Sequence, residues 1–443
     1  MLAERATLYA MANRLSGSAG GLLTAVLVAT FLTPELQGFY YTFLGLLTLQ
    51  TFAELGFGEL LQQSVSHEWA LGASSHPTTR ERARARLASL VRFSLVWYSV
   101  VALVVIAGLG TGGALYFRSF ASTDAPSWEL AWWIAVVATG ASVLLTPVFA
   151  LLEGANRVET VHGTRLGQAI ASRAASALAV VAGAGLFTIA TARWVSFAAG
   201  VVGLGREHFR SLRTYFGRRD PDAFTWRRDI WPLQWKFALS SLSGYLLYSL
   251  FTPVLFAFHG PEVAGRMGLT LTAAAAISSA AFAAVATKVP RLAFHAANHA
   301  YREMDTLFRQ ATVSSLAVAS VGAAIFFTGL LVTRGLGLEI ATRFLPPVET
   351  ALLLAAIVLQ QLRFAMGSYL RAHKEEPLVL LSVLEALVAI PVFTLLGRSF
   401  GAIGMVLGFL GLTTLTLVPA VFTFEHCRNL WHGGEMRTNA HPL

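Results

Sequence analysis

Charge is what this sequence has least of. Only 13% of its 443 residues are Asp, Glu, Lys or Arg, about half the share in soluble domains, so the chain cannot cover itself with a water-solvated surface. Acid is the scarcer sign: 24 acidic residues face 33 basic ones, for a net charge of +9. Every Asp (Asp124, Asp220, Asp222, Asp229, Asp305) falls between apolar runs rather than inside one. A single cysteine, Cys427, excludes an internal disulfide. There is no P-loop, dinucleotide-binding glycine pattern or nucleophile elbow, and no cofactor is expected. His295 and His299 are four residues apart but have no third ligand beside them in the sequence, so they predict a solvated helix face rather than a metal site. Arg5 and Arg14 precede the first apolar run without a short apolar core and small-residue cleavage site, which reads as a first span and not a signal peptide.

What fills the chain instead is apolar sequence, 55% of residues. Allowing about 20 residues per helical crossing and breaking at Pro, Gly and charge clusters, the sequence divides into twelve spans. Six lie in the first half, at 10–32, 39–61, 87–117, 128–152, 161–183 and 187–205. Six more follow at 237–259, 263–287, 311–332, 349–370, 377–396 and 401–424. The expected domains are an N-terminal six-helix lobe at 1–205, a basic linker at 206–236, a C-terminal six-helix lobe at 237–424 and a tail at 425–443. Within the linker, Phe209, Leu212 and Phe216 recur at helical spacing among Arg206, Arg210 and Arg213, as in an amphipathic segment on a membrane surface.

Lys and Arg set the orientation, because short basic loops stay on the cytoplasmic side. Of the 33, 24 fall in one set of alternate loops, and only Arg118, Arg334, Arg343 and Arg398 fall in the other. Both termini are therefore expected in the cytoplasm of a multi-pass inner-membrane protein. The basic surplus is assigned to anionic membrane lipids and not to nucleic acid.

The halves are related. Thr33-Pro34-Glu35-Leu36-Gln37-Gly38 matches Gly260-Pro261-Glu262-Val263-Ala264-Gly265, and Leu15-Ser16-Gly17 matches Leu242-Ser243-Gly244 at the same upstream spacing. Each half holds an even number of spans, so the copies are parallel repeats. The fold class is an all-α integral membrane protein, twelve helices in two pseudo-symmetric lobes around a central cavity.

Charges inside apolar runs cost at least about 2.5 kcal/mol at mid-span, so they face a wet cavity or a partner. They are Arg14, Arg92, Arg173, Arg193, Arg266 and Arg363 against Glu54, Glu59 and Glu385. Arg173 and Glu385 lie nearest mid-span, on the equivalent fifth and eleventh spans. Arg14, Arg92 and Arg363 lie within a turn or two of the basic ends, where snorkelling competes with any functional reading. The cationic excess suits an anionic substrate, because a guanidinium fork holds phosphate by paired charge-assisted hydrogen bonds. Glu54, Glu59 and Glu385 are candidates for charge balance or for coupling to H+ or Na+. Glu59 stands beside Gly56 and Gly58, where a break in the second span is expected, and Pro147, Pro253 and Pro391 are candidate kinks.

Over the stretch Thr33-Pro34-Glu35, Gln37-Gly38-Phe39-Tyr40-Tyr41-Thr42-Phe43, Leu49-Gln50, Glu54-Leu55-Gly56 and Ser66-His67-Glu68, the chain resembles bacterial O-antigen and polysaccharide flippases. These belong to the multidrug, oligosaccharidyl-lipid and polysaccharide (MOP) exporter superfamily. The resemblance implies alternating access, a cationic cavity and, as substrate, a polyprenyl-diphosphate-linked oligosaccharide of the O-antigen or a related polysaccharide. It points to Arg14 and Arg266 as positions for the diphosphate, beside Arg173 and Arg363. The second copy, 268–290, is Ala-rich and has lost the Tyr-Tyr-Thr-Phe character.

Two rivals remain. A cation-coupled multidrug antiporter of the same superfamily wants intramembrane acids to dominate, whereas here six Arg meet three Glu. A membrane glycan polymerase or glycosyltransferase needs a large extramembrane loop with clustered acids, and the longest loops on the less basic side, 118–127 and 333–348, are short.

Overall fold

The computed structural model describes residues 20–122, 125–213, 231, 234–235 and 248–438, with side chains for all but 206–213 and 433–438. Among the described residues every element is helical and none is a strand. The chain forms two compact units, Met1–Leu242 and Ser243–Leu443.

The first unit contains α1 (Gly20–Phe31), α2 (Pro34–Leu47), α3 (Gln50–Glu54), α4 (Phe57–Gly72) and α5 (Pro77–Val104). A π-helical turn, Val105–Leu109, leads from α5 into α6 (Gly110–Phe120). Then come α7 (Glu129–Val143), α8 (Thr146–Gly154), α9 (Val158–Val181) and α10 (Phe187–Arg213). The second unit contains α11 (Phe251–Ala286), α12 (Val289–Ala297), α13 (Tyr301–Gly335), a 3-10 turn (Glu339–Arg343), α14 (Pro347–Ala372) and α15 (Val379–Thr438).

Among the described residues, seven helices are long and apolar enough to cross a membrane. Two of them, Phe251–Ala297 with 47 residues and Val379–His432 with 54, far exceed one crossing. Each is interrupted by a glycine that no helix accommodates: Gly260 at φ 83, ψ 174, and Gly401 at φ 65, ψ −141. Gly260 opens the second copy of the repeat. In the first copy the same helix start is made differently, because Thr33 caps α2 by accepting a hydrogen bond from the Leu36 amide at 3.2 Å, with Pro34 at the first position and Glu35 in the first turn. A side-chain cap in one half is thus replaced in the other by a glycine turn.

The expected second span, 39–61, is not one helix. Leu55 and Gly56 both take left-handed backbone conformations, φ 50 and φ 66, and separate α3 from α4. A leucine held there costs on the order of 1–2 kcal/mol, which the surrounding packing must offset. Pro147 lies in the first turn of α8, just after the break at Leu144–Leu145, while Pro391 lies inside α15. Pro253 stands in the first turn of α11, where its missing N–H has no helical partner to lose.

Helix packing follows from aromatic and aliphatic faces within each unit. In the first, Phe57, Leu60, Leu90, Val91, Tyr98 and Leu151 join α4, α5 and α8. Nearby, Phe43 and Phe117 pack edge-to-face against Trp132, whose indole N–H donates to the Gly110 carbonyl at 3.0 Å. In the second, Leu292, Met304, Met366, Tyr369 and Phe424 join α12 to α15. The outer faces are apolar: Leu178, Val202, Leu415 and Phe422 are each more than 70% exposed, which suits lipid and not water.

Candidate functional site

In the first unit, α9 and α10 are held close together. Gln168 Nε2 donates to the Ser196 carbonyl at 3.0 Å, and a Cβ at Gly203 would lie 2.6 Å from Thr164. This pairing carries two arginines, Arg173 on α9 and Arg193 on α10. Arg173 runs across the start of α1, where a Cβ on Gly20 would stand only 2.1 Å from its Cδ, so the glycine makes room for the side chain. One turn further along α9, the buried Ser176 hydrogen-bonds the Tyr40 phenol, which lies within electrostatic reach of Arg193. The Tyr-Tyr-Thr-Phe stretch of α2 thereby joins the two arginine-bearing helices. Among the described residues Arg193 has no carboxylate partner. Arg193, Tyr40 and Ser176 form a polar, cationic group of a guanidinium and hydroxyls between apolar helices, with Arg173 one turn from Ser176 on α9, a donor set that fits an anion.

Glu54 ends α3 at the left-handed break. It lies within electrostatic reach of Tyr98, whose buried hydroxyl has no hydrogen-bond partner among the described residues, as is also true of Gln50 Oε1. Glu54 has no ion-pair partner among the described residues either. Glu59, expected to balance buried charge, is instead exposed in the first turn of α4, where a carboxylate favours the helix N-terminus.

In the second unit the charges are paired. Arg363 on α14 donates through both Nη atoms to the Glu385 carboxylate on α15, at 2.6 and 2.5 Å. Arg363 Nη1 also donates to Thr416 Oγ1 at 3.0 Å, and that hydroxyl lies 3.1 Å from Glu385 Oε1. The side chains are 13% and 1% exposed, so the fork is closed and electrically neutral. A polar layer surrounds it: Tyr248 donates to Gln360, and Gln361 donates to Ser278 at 2.9 Å and accepts from Ser315 at 3.3 Å. Arg266 pairs with Glu262 four residues earlier, 3.8 Å away and with both side chains well exposed. Arg14 lies outside the described residues, as does most of the basic linker.

Of the seven expected site residues the structure thus brings together one pair, Arg363 with Glu385. Sequence reasoning missed Tyr40, Ser176 and Thr416. Ser176 follows Arg173 by one helical turn, which was a usable signal; Tyr40 and Thr416 are brought in by tertiary packing alone.

No protein-family model matches the sequence, and no curated protein matches it significantly. Solved structures do match. A multidrug resistance MATE family transporter of the MOP superfamily, in an inward-facing conformation, aligns with TM-score 0.63 and 13% identity over 95% of each chain. The lipid II flippase MurJ, in an inward closed conformation, aligns with TM-score 0.64 and 12% identity over 95% of this chain and 87% of its own. A MOP superfamily transporter from Pyrococcus furiosus aligns with TM-score 0.55 and 13% identity over 97% and 96%. The chain is a multi-pass helical membrane protein with the fold of MOP superfamily transporters. Its structural neighbours are transporters and flippases, not enzymes.

Proposed function

We propose that the chain is a flippase that moves a polyprenyl-diphosphate-linked oligosaccharide, of the O-antigen or a related polysaccharide, across the bacterial inner membrane by alternating access. Two parallel six-helix lobes, with both termini in the cytoplasm, would carry the motion. The observation that supports this reading best is the placement of Arg193 with Tyr40 and Ser176, one helical turn from Arg173, among apolar helices of the first unit. Two guanidinium groups and two hydroxyls match the donors that a diphosphate needs, while the lipid tail stays among the apolar faces. Arg363 is neutralised by Glu385 and Arg266 is paired at the surface, so the anion-holding charge falls to the first unit; Arg14 extends the same set. Flipping assayed in proteoliposomes with a fluorescent polyprenyl-diphosphate saccharide tests this, with Arg173→Ala and Arg193→Ala expected to abolish transport in protein that remains monodisperse.

One observation favours the multidrug antiporter as a second reading. Glu54 is an intramembrane carboxylate without an ion-pair partner among the described residues, which suits a cation or a coupling proton. Efflux of a cationic dye that is lost in Glu54→Gln and kept in Arg173→Ala would favour the antiporter; the opposite pattern would favour the flippase, with Glu54 reserved for H+ or Na+ coupling.

A further inference from the structure

Away from the intramembrane arginines, three helix ends of the second unit meet in a polar and aromatic knot that transport as proposed does not use. It joins the start of α13, the end of α14 and the far stretch of α15. Asp305 on α13 is its centre. It accepts from the Tyr369 hydroxyl at 2.9 Å and from Arg428 Nε and Nη2 at 3.2 and 2.7 Å, and His432 Nδ1 stands 3.8 Å away. His432 Nε2 lies 3.3 Å from the same Tyr369 hydroxyl, and its ring stacks on Tyr301 at 4.8 Å.

His373, just past the end of α14, closes the knot. Its ring lies flat on Trp431 of α15, with centroids 3.8 Å apart and planes 11° apart, and Tyr301 runs parallel to it at 6.2 Å. Nδ1 lies 3.2 Å from the Tyr369 carbonyl, which requires the proton on Nδ1 and leaves Nε2 as a lone pair. That Nε2 is buried and has no hydrogen-bond partner among the described residues. A second proton would sit on this buried Nε2 with no acceptor for its hydrogen bond among the described residues. Burial accordingly holds the His373 imidazole below the ordinary histidine range; His432 acts in the same direction, and the Tyr369 carbonyl, Glu375 and Asp305 only partly oppose the effect.

We propose that this cluster is a proton-operated clasp on the basic end of the second unit, closed while His373 is neutral and loosened when His373 is protonated. The sign follows from linkage. A base that is harder to protonate in the closed state than in the open one binds more protons when open, so closure is fullest above the ordinary histidine value of about 6.5 and weakens as pH falls below it. The clasp ties together three membrane helices, so its release frees the terminal stretch of α15 from α13 and α14. The device does not depend on what is transported.

The chain supplies its own reporter. Cys427, its one cysteine, is half-buried against the core beneath the clasp, beside Trp431. Labelling of Cys427 by an uncharged maleimide is measured on the full-length protein in detergent from pH 7.5 to 5.5. Each rate is normalised to the denatured protein at the same pH, which removes the thiolate's own dependence. The normalised rate should rise below about pH 6.5, by up to about tenfold per pH unit separating the open and closed titrations. His373→Phe, which keeps the stack on Trp431 without a titrating nitrogen, should be flat, and His373→Gln gives the same comparison if the phenylalanine impairs folding. A flat wild-type profile overturns the clasp. So does an equal rise in either folded variant, or a rise that appears only with loss of the monodisperse peak, which marks global unfolding.

Discussion

Removing Glu385 alone should be among the costliest single changes in the second unit. Its side chain is 1% exposed, and its carboxylate accepts from both Nη atoms of Arg363 at 2.6 and 2.5 Å and lies 3.1 Å from Thr416. Glu385→Leu leaves a guanidinium that is 13% exposed without its counter-charge, and breaking a buried pair in this way costs about 3–5 kcal/mol. Arg363→Met strands the carboxylate and should cost a similar amount. The double variant removes both charges and replaces them with apolar volume, which is often neutral or stabilising. The coupling energy in the cycle, the two single losses set against a double loss near zero, should therefore reach about 6 kcal/mol. Thermal unfolding of the four purified proteins in detergent, supported by denaturant titration, measures it. Single variants that lose less than about 1 kcal/mol, or a double variant that loses the sum of the singles, would refute the reasoning. The same double variant should still flip substrate, because the pair is neutral before and after.

Other predictions rest on close approaches and charge. Gly20→Val should push Arg173 aside, since even a Cβ would come within 2.1 Å of Cδ; transport should fall sharply while stability changes by less than about 1.5 kcal/mol, because a long side chain can swing away. Gly404→Ala places a Cβ 2.2 Å from the Leu396 carbonyl oxygen, a backbone atom that cannot yield, and should cost about 3 kcal/mol or more by thermal shift. Gly260→Ala forces a φ of 83 on a residue with a Cβ and should lower the melting temperature, whereas Thr33→Ala loses only one helix cap, worth about 1 kcal/mol.

Helical class, membrane setting and the paired turns at Thr33 and Gly260 were legible because they rest on local signals: run length, charge placement and turn chemistry. Composition alone predicted the outward apolar faces. The break at Leu55–Gly56 was half legible. Gly56 and Gly58 marked the place, but a leucine in the left-handed region is set by packing and leaves no trace in sequence. Arg363 and Glu385 were each picked out as buried charges, yet their union is not local: 22 residues separate them, and Thr416 comes from beyond the Gly401 turn. The pairing of Arg266 with Glu262 was readable from its i, i+4 spacing. Ser176 stood one turn from Arg173 in the sequence, but Tyr40 was invisible as a partner of Arg193, because the crossing of α2 with α9 decides it.

Reconstituted transport tests the central claim most directly. Purified protein in liposomes is given either a fluorescent polyprenyl-diphosphate saccharide or a cationic dye, and movement across the bilayer is followed by quenching from outside. Movement of the diphosphate lipid that is abolished by Arg173→Ala or Arg193→Ala, with the dye left in place, is the predicted result. Dye transport without lipid movement, or lipid movement unchanged in both arginine variants, would contradict it.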